Sequence, residues 1–125
     1  MSEPDDLHVW MDGYRTAWTS NDPGDIRALF TEDAEYLYNP WDEPVRGADA
    51  IVASWLEGKD EPGDWTFDWQ PLLREGATAV IEGRTVYLDG RAYRNLWVIV
   101  LEEDGRASRF TEWYMKEPAQ LPSVD

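Results

Sequence analysis

The sequence predicts an α+β domain in which about three helices come first and a curved, mostly antiparallel sheet follows. Three observations carry this reading. Leu7, Trp10, Met11, Tyr14, Ala17 and Trp18 recur at helical spacing and form one apolar stripe. Residues 80–115 hold three apolar-rich runs joined by Asp89-Gly90 and Asp104-Gly105, dipeptides that tolerate the positive φ of a tight hairpin turn. A fourth run, Trp65 to Arg74, meets Ala77 across Glu75-Gly76 and extends the hairpins into a four-stranded meander.

Taken in order, the first helix starts at Ser2 or Glu3 with Pro4 in its first turn, where a missing N–H costs nothing. Asp22-Pro23 caps a short second helix with Ile26, Leu29 and Phe30 facing inward and Asp25 near its positive end. Thr31 to Asp33 link it to a first strand, Ala34 to Tyr38. The prolines of Asn39-Pro40-Trp41-Asp42-Glu43-Pro44 exclude both helix and sheet, which leaves an ordered loop. A third helix, Ala48 to Glu57, buries Ile51, Val52, Trp55 and Leu56 and ends at Gly58. The polar loop Gly58 to Asp64 then leads into the meander.

The 125 residues suffice for one buried core, so a single domain over 1–125 is expected, with 117–125 as a surface tail. The absence of cysteine rules out disulfide and thiolate–metal frameworks and fits a reducing cytoplasm. No apolar run approaches membrane-spanning length, and MSEPDDLHVW has no signal-like core, so a cytoplasmic location is expected. A net charge of −15 opposes nucleic acid and anionic membranes, which bind through Lys and Arg. Residues 1–64 hold 16 Asp/Glu against 4 Lys/Arg, so the acid coats the helical half. Eight tryptophans need partners for their indole N–H groups, and a partly polar, aromatic-walled cavity provides them.

Side chains alternate along a strand, so two-residue hairpin loops fix which residues share a face. This register sets Trp97 opposite Glu112, Asn95 opposite Tyr114, Arg84 opposite Asn95, Glu82 opposite Trp97 and Trp69 opposite Glu82. One face then collects Trp65, Phe67, Trp69, Val80, Glu82, Arg84, Val86, Tyr93, Asn95, Trp97, Ile99, Phe110, Glu112 and Tyr114. The other carries Leu72, Ile81, Gly83, Thr85, Tyr87, Leu96, Val98, Val100, Thr111, Trp113 and Met115. Neither is a solvated face; helices cover the first, and a second subunit is the simplest cover for the other. A three-residue turn with a glycine bulge would invert one strand. Two readings of the first face's polar groups stand side by side: a Glu–Arg–Glu network that holds the sheet together, or a pocket with a few groups for a ligand.

Helices, an Asn-Pro loop, then a long meander ending in Phe110-Thr111-Glu112-Trp113-Tyr114 resemble the nuclear transport factor 2-like superfamily, and most of all its SnoaL-like polyketide-cyclase branch. The resemblance runs from Leu7 to Met115 and includes TSNDPGDIRALFTEDAEY and EPVRGADAIVASW. It implies a cone-shaped α+β barrel with a deep pocket between helices and sheet, and dimerisation through the outer sheet face. Ketosteroid isomerase, in the same superfamily, has an oxyanion-hole tyrosine where Tyr14 falls and a neutral hydrogen-bonding Asp where Asn95 falls. Its general-base Asp falls on Asn39, and an amide cannot take a proton from carbon.

Glu112 is the candidate acid/base group, because burial among Trp97, Phe110 and Tyr114 raises a carboxyl pKa toward useful values. An adjacent Arg84 would oppose that shift. Tyr14 and Asn95 are the candidate hydrogen-bonding partners in catalysis. Trp18, Asn39, Trp55, Trp69, Glu82, Arg84, Trp97, Phe110 and Tyr114 are candidates for substrate contact. His8, the single histidine, lies beside the helix stripe, and Asp42 and Glu43 lie in the loop. No P-loop, dinucleotide turn, nucleophile triad or His-rich metal cluster is present, so neither cofactor nor metal is expected. The expected activity is cofactor-independent proton transfer (cyclase, isomerase, dehydratase or hydrolase) on a small apolar or aromatic molecule. A non-catalytic ligand binder and a dimeric scaffold are the alternatives.

Overall fold

The computed structural model describes residues 6–58 and 63–118. The expected helix start at residues 2–4 and most of the expected tail lie outside them. Helix α1 (Asp6–Ser20) is followed by α2 (Pro23–Arg27), strand β1 (Phe30–Leu37), a short β2 (Val45–Arg46) and α3 (Ala48–Glu57). Then come β3 (Trp65–Glu75), β4 (Thr78–Tyr87), β5 (Ala92–Leu101) and β6 (Ala107–Lys116). The six strands form one curved, unclosed sheet in the order β2-β1-β6-β5-β4-β3, antiparallel except where β1 runs parallel to β6. The three helices pack on it, an α+β architecture with an open sheet in place of a closed barrel. No helix among the described residues is long and apolar enough to cross a membrane.

Local sequence explains most boundaries. Asp22 Oδ1 accepts from the backbone N–H of Gly24 at 2.7 Å and of Asp25 at 3.3 Å, an N-cap worth about 1 kcal/mol. The stripe of α1 is buried at Leu7, Trp10, Met11, Tyr14 and Ala17, and Trp10 Nε1 donates to Leu29 O at 2.9 Å. Strand β1 starts four residues earlier than expected, at Phe30. Ala107 N donates to Leu29 O at 2.8 Å and Phe30 pairs with Ala107, so β6 draws the supposed linker into the sheet. An irregularity between Phe30 and Glu35 hides the alternation that would mark it as strand.

The two Asp-Gly turns are both three-residue loops. Tyr87 N donates to Arg91 O at 2.8 Å around Leu88-Asp89-Gly90, and Glu102 N donates to Arg106 O at 2.8 Å around Glu103-Asp104-Gly105. Gly90 (φ 97°) and Gly105 (φ 85°) hold the positive-φ position that closes each loop. Between β5 and β6 a further irregularity near Ser108 cancels the extra residue, and Trp97 pairs with Glu112 as expected. Nothing cancels it between β4 and β5. Asn95 therefore pairs with Gly83 instead of Arg84, and Trp97 with Ile81 instead of Glu82. Trp69 faces Gly83, and Glu82 lies opposite Gln70.

This corrects the facing of one whole strand. Ile81, Gly83, Thr85 and Tyr87 point inward, while Val80, Glu82, Arg84 and Val86 take the outer face. The Glu–Arg–Glu network does not form. Glu82 Oε1 accepts from Gln70 at 3.0 Å, and the exposed Arg84 pairs with Glu117 at 2.7 Å. The inner face joins the helices in one core that includes Trp10, Tyr14, Phe30, Phe67, Trp97 and Phe110. On the outer face Trp113 and Met115 are 49% and 72% exposed, and Leu72 and Leu73 are also exposed.

Candidate functional site

A cavity of about 650 Å³ opens between α1, α3 and the inner face of the sheet. Its floor is aromatic. Tyr14 from α1 packs on Trp97 of β5 at 4.6 Å between ring centroids, on Trp55 of α3 at 5.0 Å and on Phe110 of β6 at 5.7 Å. Tyr87, Tyr93 and Tyr114, from three adjacent strands, make successive edge-to-face contacts at 5.9 Å and form one wall. All six tyrosines of the chain line the cavity, beside Trp18, Trp55 and Trp97.

Two carboxylates line the cavity, Glu57 of α3 and Glu112 of β6, and Glu112 is the one hydrogen-bonded within it. Asn95 Nδ2 donates to its Oε2 at 2.6 Å, and Trp97 Nε1 donates to the same oxygen at 3.0 Å. Thr85 Oγ1 donates to Asn95 Oδ1 at 2.8 Å, which turns the amide so that its NH₂ group faces Glu112. Both protein donors thus converge on Oε2. Oε1 is not among the buried atoms without a partner, and Glu112 lines the cavity, so Oε1 is the oxygen open to it. Burial pushes the Glu112 carboxyl up, and the Trp97 and Asn95 hydrogen bonds only partly offset this.

The hydroxyls of Tyr14 and Tyr36 lie 3.0 Å apart, and either can donate. Burial, and then the neighbouring Tyr14 and Glu112, raise Tyr36 well above the ordinary phenol value, which keeps it a neutral donor. Tyr38 is also raised by burial, although its hydroxyl bonds Ser54 at 2.9 Å. This arrangement can hold a proton on Glu112, accept one there, and donate hydrogen bonds to an oxygen of a bound molecule. Among the described residues no group of three or more His, Cys, Asp or Glu is placed to hold a metal.

The cavity brings together seven of the residues singled out from the sequence: Tyr14, Trp18, Trp55, Asn95, Trp97, Glu112 and Tyr114. Phe110 is buried behind them and stacks on Tyr36 at 4.5 Å. Asn39 lies outside the lining and donates to Asp42 at 3.0 Å. Trp69 packs on His8 at 4.9 Å, also away from the lining. Glu82 and Arg84 are on the opposite face of the sheet. Tyr36, Tyr38, Thr85 and Tyr87 are lining residues that sequence reasoning missed. Tyr36 and Tyr38 have the two-residue spacing of neighbours on one strand face. Thr85 and Tyr87 were hidden by the loop length at Asp89-Gly90.

A SnoaL-like domain profile matches residues 11–110. Among solved structures, a candidate ketosteroid isomerase from Kribbella flavida superposes with a TM-score of 0.70 at 19% identity, covering 94% of this chain and 84% of that one. An NTF-2 like protein of unknown function from Burkholderia xenovorans gives 0.71 at 17% identity, with 94% and 88% covered. A ketosteroid isomerase-like protein from Erwinia carotovora atroseptica gives 0.61 at 16% identity, with 84% and 90% covered. No curated protein sequence matches the chain. With four-fifths of its length inside the profile, the chain belongs to the SnoaL-like domain family of the nuclear transport factor 2-like superfamily.

Proposed function

We propose that this protein is a cofactor-independent enzyme that moves a proton on a small apolar or aromatic molecule, with Glu112 as the acid/base group. The carrying observation is the one-sided carboxylate: two N–H donors hold Oε2, and Oε1 faces an aromatic cavity with no basic residue among its described lining. A proton on Glu112 would sit on Oε1, and once it leaves, Asn95 and Trp97 stabilise the charge left behind. Tyr14 and Tyr36 supply hydrogen bonds to a developing oxyanion on the substrate. In this reading Glu112 on β6 is the base that the amide of Asn39 cannot be. The class is a cyclase, isomerase, dehydratase or hydrolase.

The test is proton exchange. Cyclic and aromatic ketones incubated with the protein in D₂O should gain deuterium beside the carbonyl, followed by NMR. Glu112→Gln should slow exchange by about 10²–10⁴, the usual loss for one acid/base group. Equal exchange in both proteins would reject the catalytic role. Ligands that bind without exchange would leave the non-catalytic binder.

We also propose a cytoplasmic homodimer through the outer sheet face. Leu96, Val98, Val100, Trp113 and Met115 support it, because no helix of the described residues packs on that side and an apolar patch of this kind is unusual on a monomer. Tyr87 leaves this patch, since it lines the cavity. Sedimentation should give twice 14.5 kDa at micromolar concentration and a shift to monomer for Trp113→Glu. A 14.5 kDa wild-type species would overturn the dimer.

A further inference from the structure

The cavity's charge is as one-sided as its carboxylate. Its titratable lining groups are Tyr14 from α1, Tyr36 and Tyr38 from the β1 segment, Glu57 from α3, Tyr87, Tyr93 and Tyr114 from the sheet, and Glu112. None is basic. Arg91 and Lys116 stand beside the tyrosine wall and face another acid. Arg91 lies over the Tyr87 ring at 4.6 Å but donates to Asp89 at 2.8 Å, and Lys116 also acts on Asp89. Among the described residues Glu112 thus has hydrogen-bond donors but no counter-charge, and its open oxygen Oε1 has no donor. An anionic ligand would meet Glu112 and Glu57 without compensation. A cation would meet an oxygen acceptor, a charge, and the negative faces of tyrosine and tryptophan rings.

We propose that the cavity takes a protonated amine carried on an apolar or aromatic body, with the ammonium N–H against Glu112 Oε1 and the body among the rings. This rests on reading the cavity as a ligand pocket and adds the charge of the ligand. The folded protein supplies the aromatic contacts to any ligand of this shape, so charge preference is the quantity that isolates Glu112.

Three matched probes read it: 2-naphthylmethylammonium, 2-naphthylmethanol and 2-naphthoate, each titrated by calorimetry at pH 7 and moderate salt. The ammonium should bind at least about tenfold tighter than the alcohol, the gain expected of a charge-assisted hydrogen bond to the Glu112 carboxylate. The naphthoate should give no binding. Glu112→Gln should bring the ammonium down to the affinity that the alcohol has for the same variant. Lowering the pH through the Glu112 titration should weaken the ammonium alone. Alcohol binding equal to or tighter than ammonium binding overturns the cation and keeps the pocket. Ammonium binding unaffected by Glu112→Gln assigns the preference to the acidic surface and overturns the proposal. Failure of all three probes overturns it together with the pocket reading.

Discussion

Gly83 is the place where the observed register can be tested against the one that two-residue turns predict. In the structure it faces inward, paired with Trp69 on one side and Asn95 on the other. A Cβ added there would stand 2.6 Å from Phe67 Cε1, 2.7 Å from Phe67 Cζ and 3.2 Å from Asp68 O. Carbon atoms in contact need about 3.5–4.0 Å, so the ring must retreat by about 1 Å. It has nowhere to go, since Phe67 stacks on Trp97 at 5.0 Å between centroids and touches Trp18 at 5.4 Å. Overpacking of this kind costs about 1–3 kcal/mol. At about 4 °C per kcal/mol for a domain of this size, Gly83→Ala should melt about 4–12 °C below wild type. The displaced Trp97 should also pull its indole N–H away from Glu112. Gly58→Ala is the control, because nothing lies within 4 Å of a Cβ there. With Gly83 on the outer face, alanine would cost almost nothing. A Gly83→Ala variant that melts within 1 °C of wild type would refute the register and the packing argument with it.

Glu112 has a second signature, in stability. Its folded pKa is raised by burial, so the folded state holds a proton that the unfolded chain has already released. That contribution is complete below the unfolded pKa and is lost as pH rises through the folded value. Glu112→Gln should therefore gain stability relative to wild type as pH rises through that window, measured by urea unfolding at several pH values; a constant difference would contradict the burial. Thr85→Val should leave Asn95 Oδ1 without its donor and let the amide turn, which moves the Glu112 titration to higher pH. Thr85→Ser should restore it, and an unmoved titration in Thr85→Val would show that Asn95 needs no such support. Arg84→Ala should leave cavity ligands bound within about twofold, since Arg84 holds Glu117 on the outer side. The Glu117 carboxyl, held down to about 2 by Arg84 and then Arg94, should titrate nearer its ordinary value in that variant by NMR. A loss of ligand affinity in Arg84→Ala would return that side chain to the cavity.

By itself the sequence determined the class of fold, the order of its helices and long strands, and the faces of β5 and β6, but not the two-residue β2. Periodic apolar residues and Asp-Gly turns are local signals, and the pairing of Trp97 with Glu112 follows from them because two one-residue irregularities cancel. The same reasoning failed one hairpin earlier, where a single uncompensated residue at Leu88-Asp89-Gly90 turned β4 over. It moved Arg84 and Glu82 to the outer face and brought Thr85 and Tyr87 to the cavity. Both loop lengths are compatible with Asp-Gly, and the choice is made by side-chain packing across the sheet, such as Phe67 against Gly83. Strand β1 shows the same dependence, since Thr31 to Asp33 became strand only through parallel pairing with a segment over seventy residues away. Tertiary structure alone decided that Glu112 has no arginine beside it and that both of its donors share one oxygen. Those are properties of a register and a rotamer, set by contacts between residues far apart in the chain, and no window of sequence contains them.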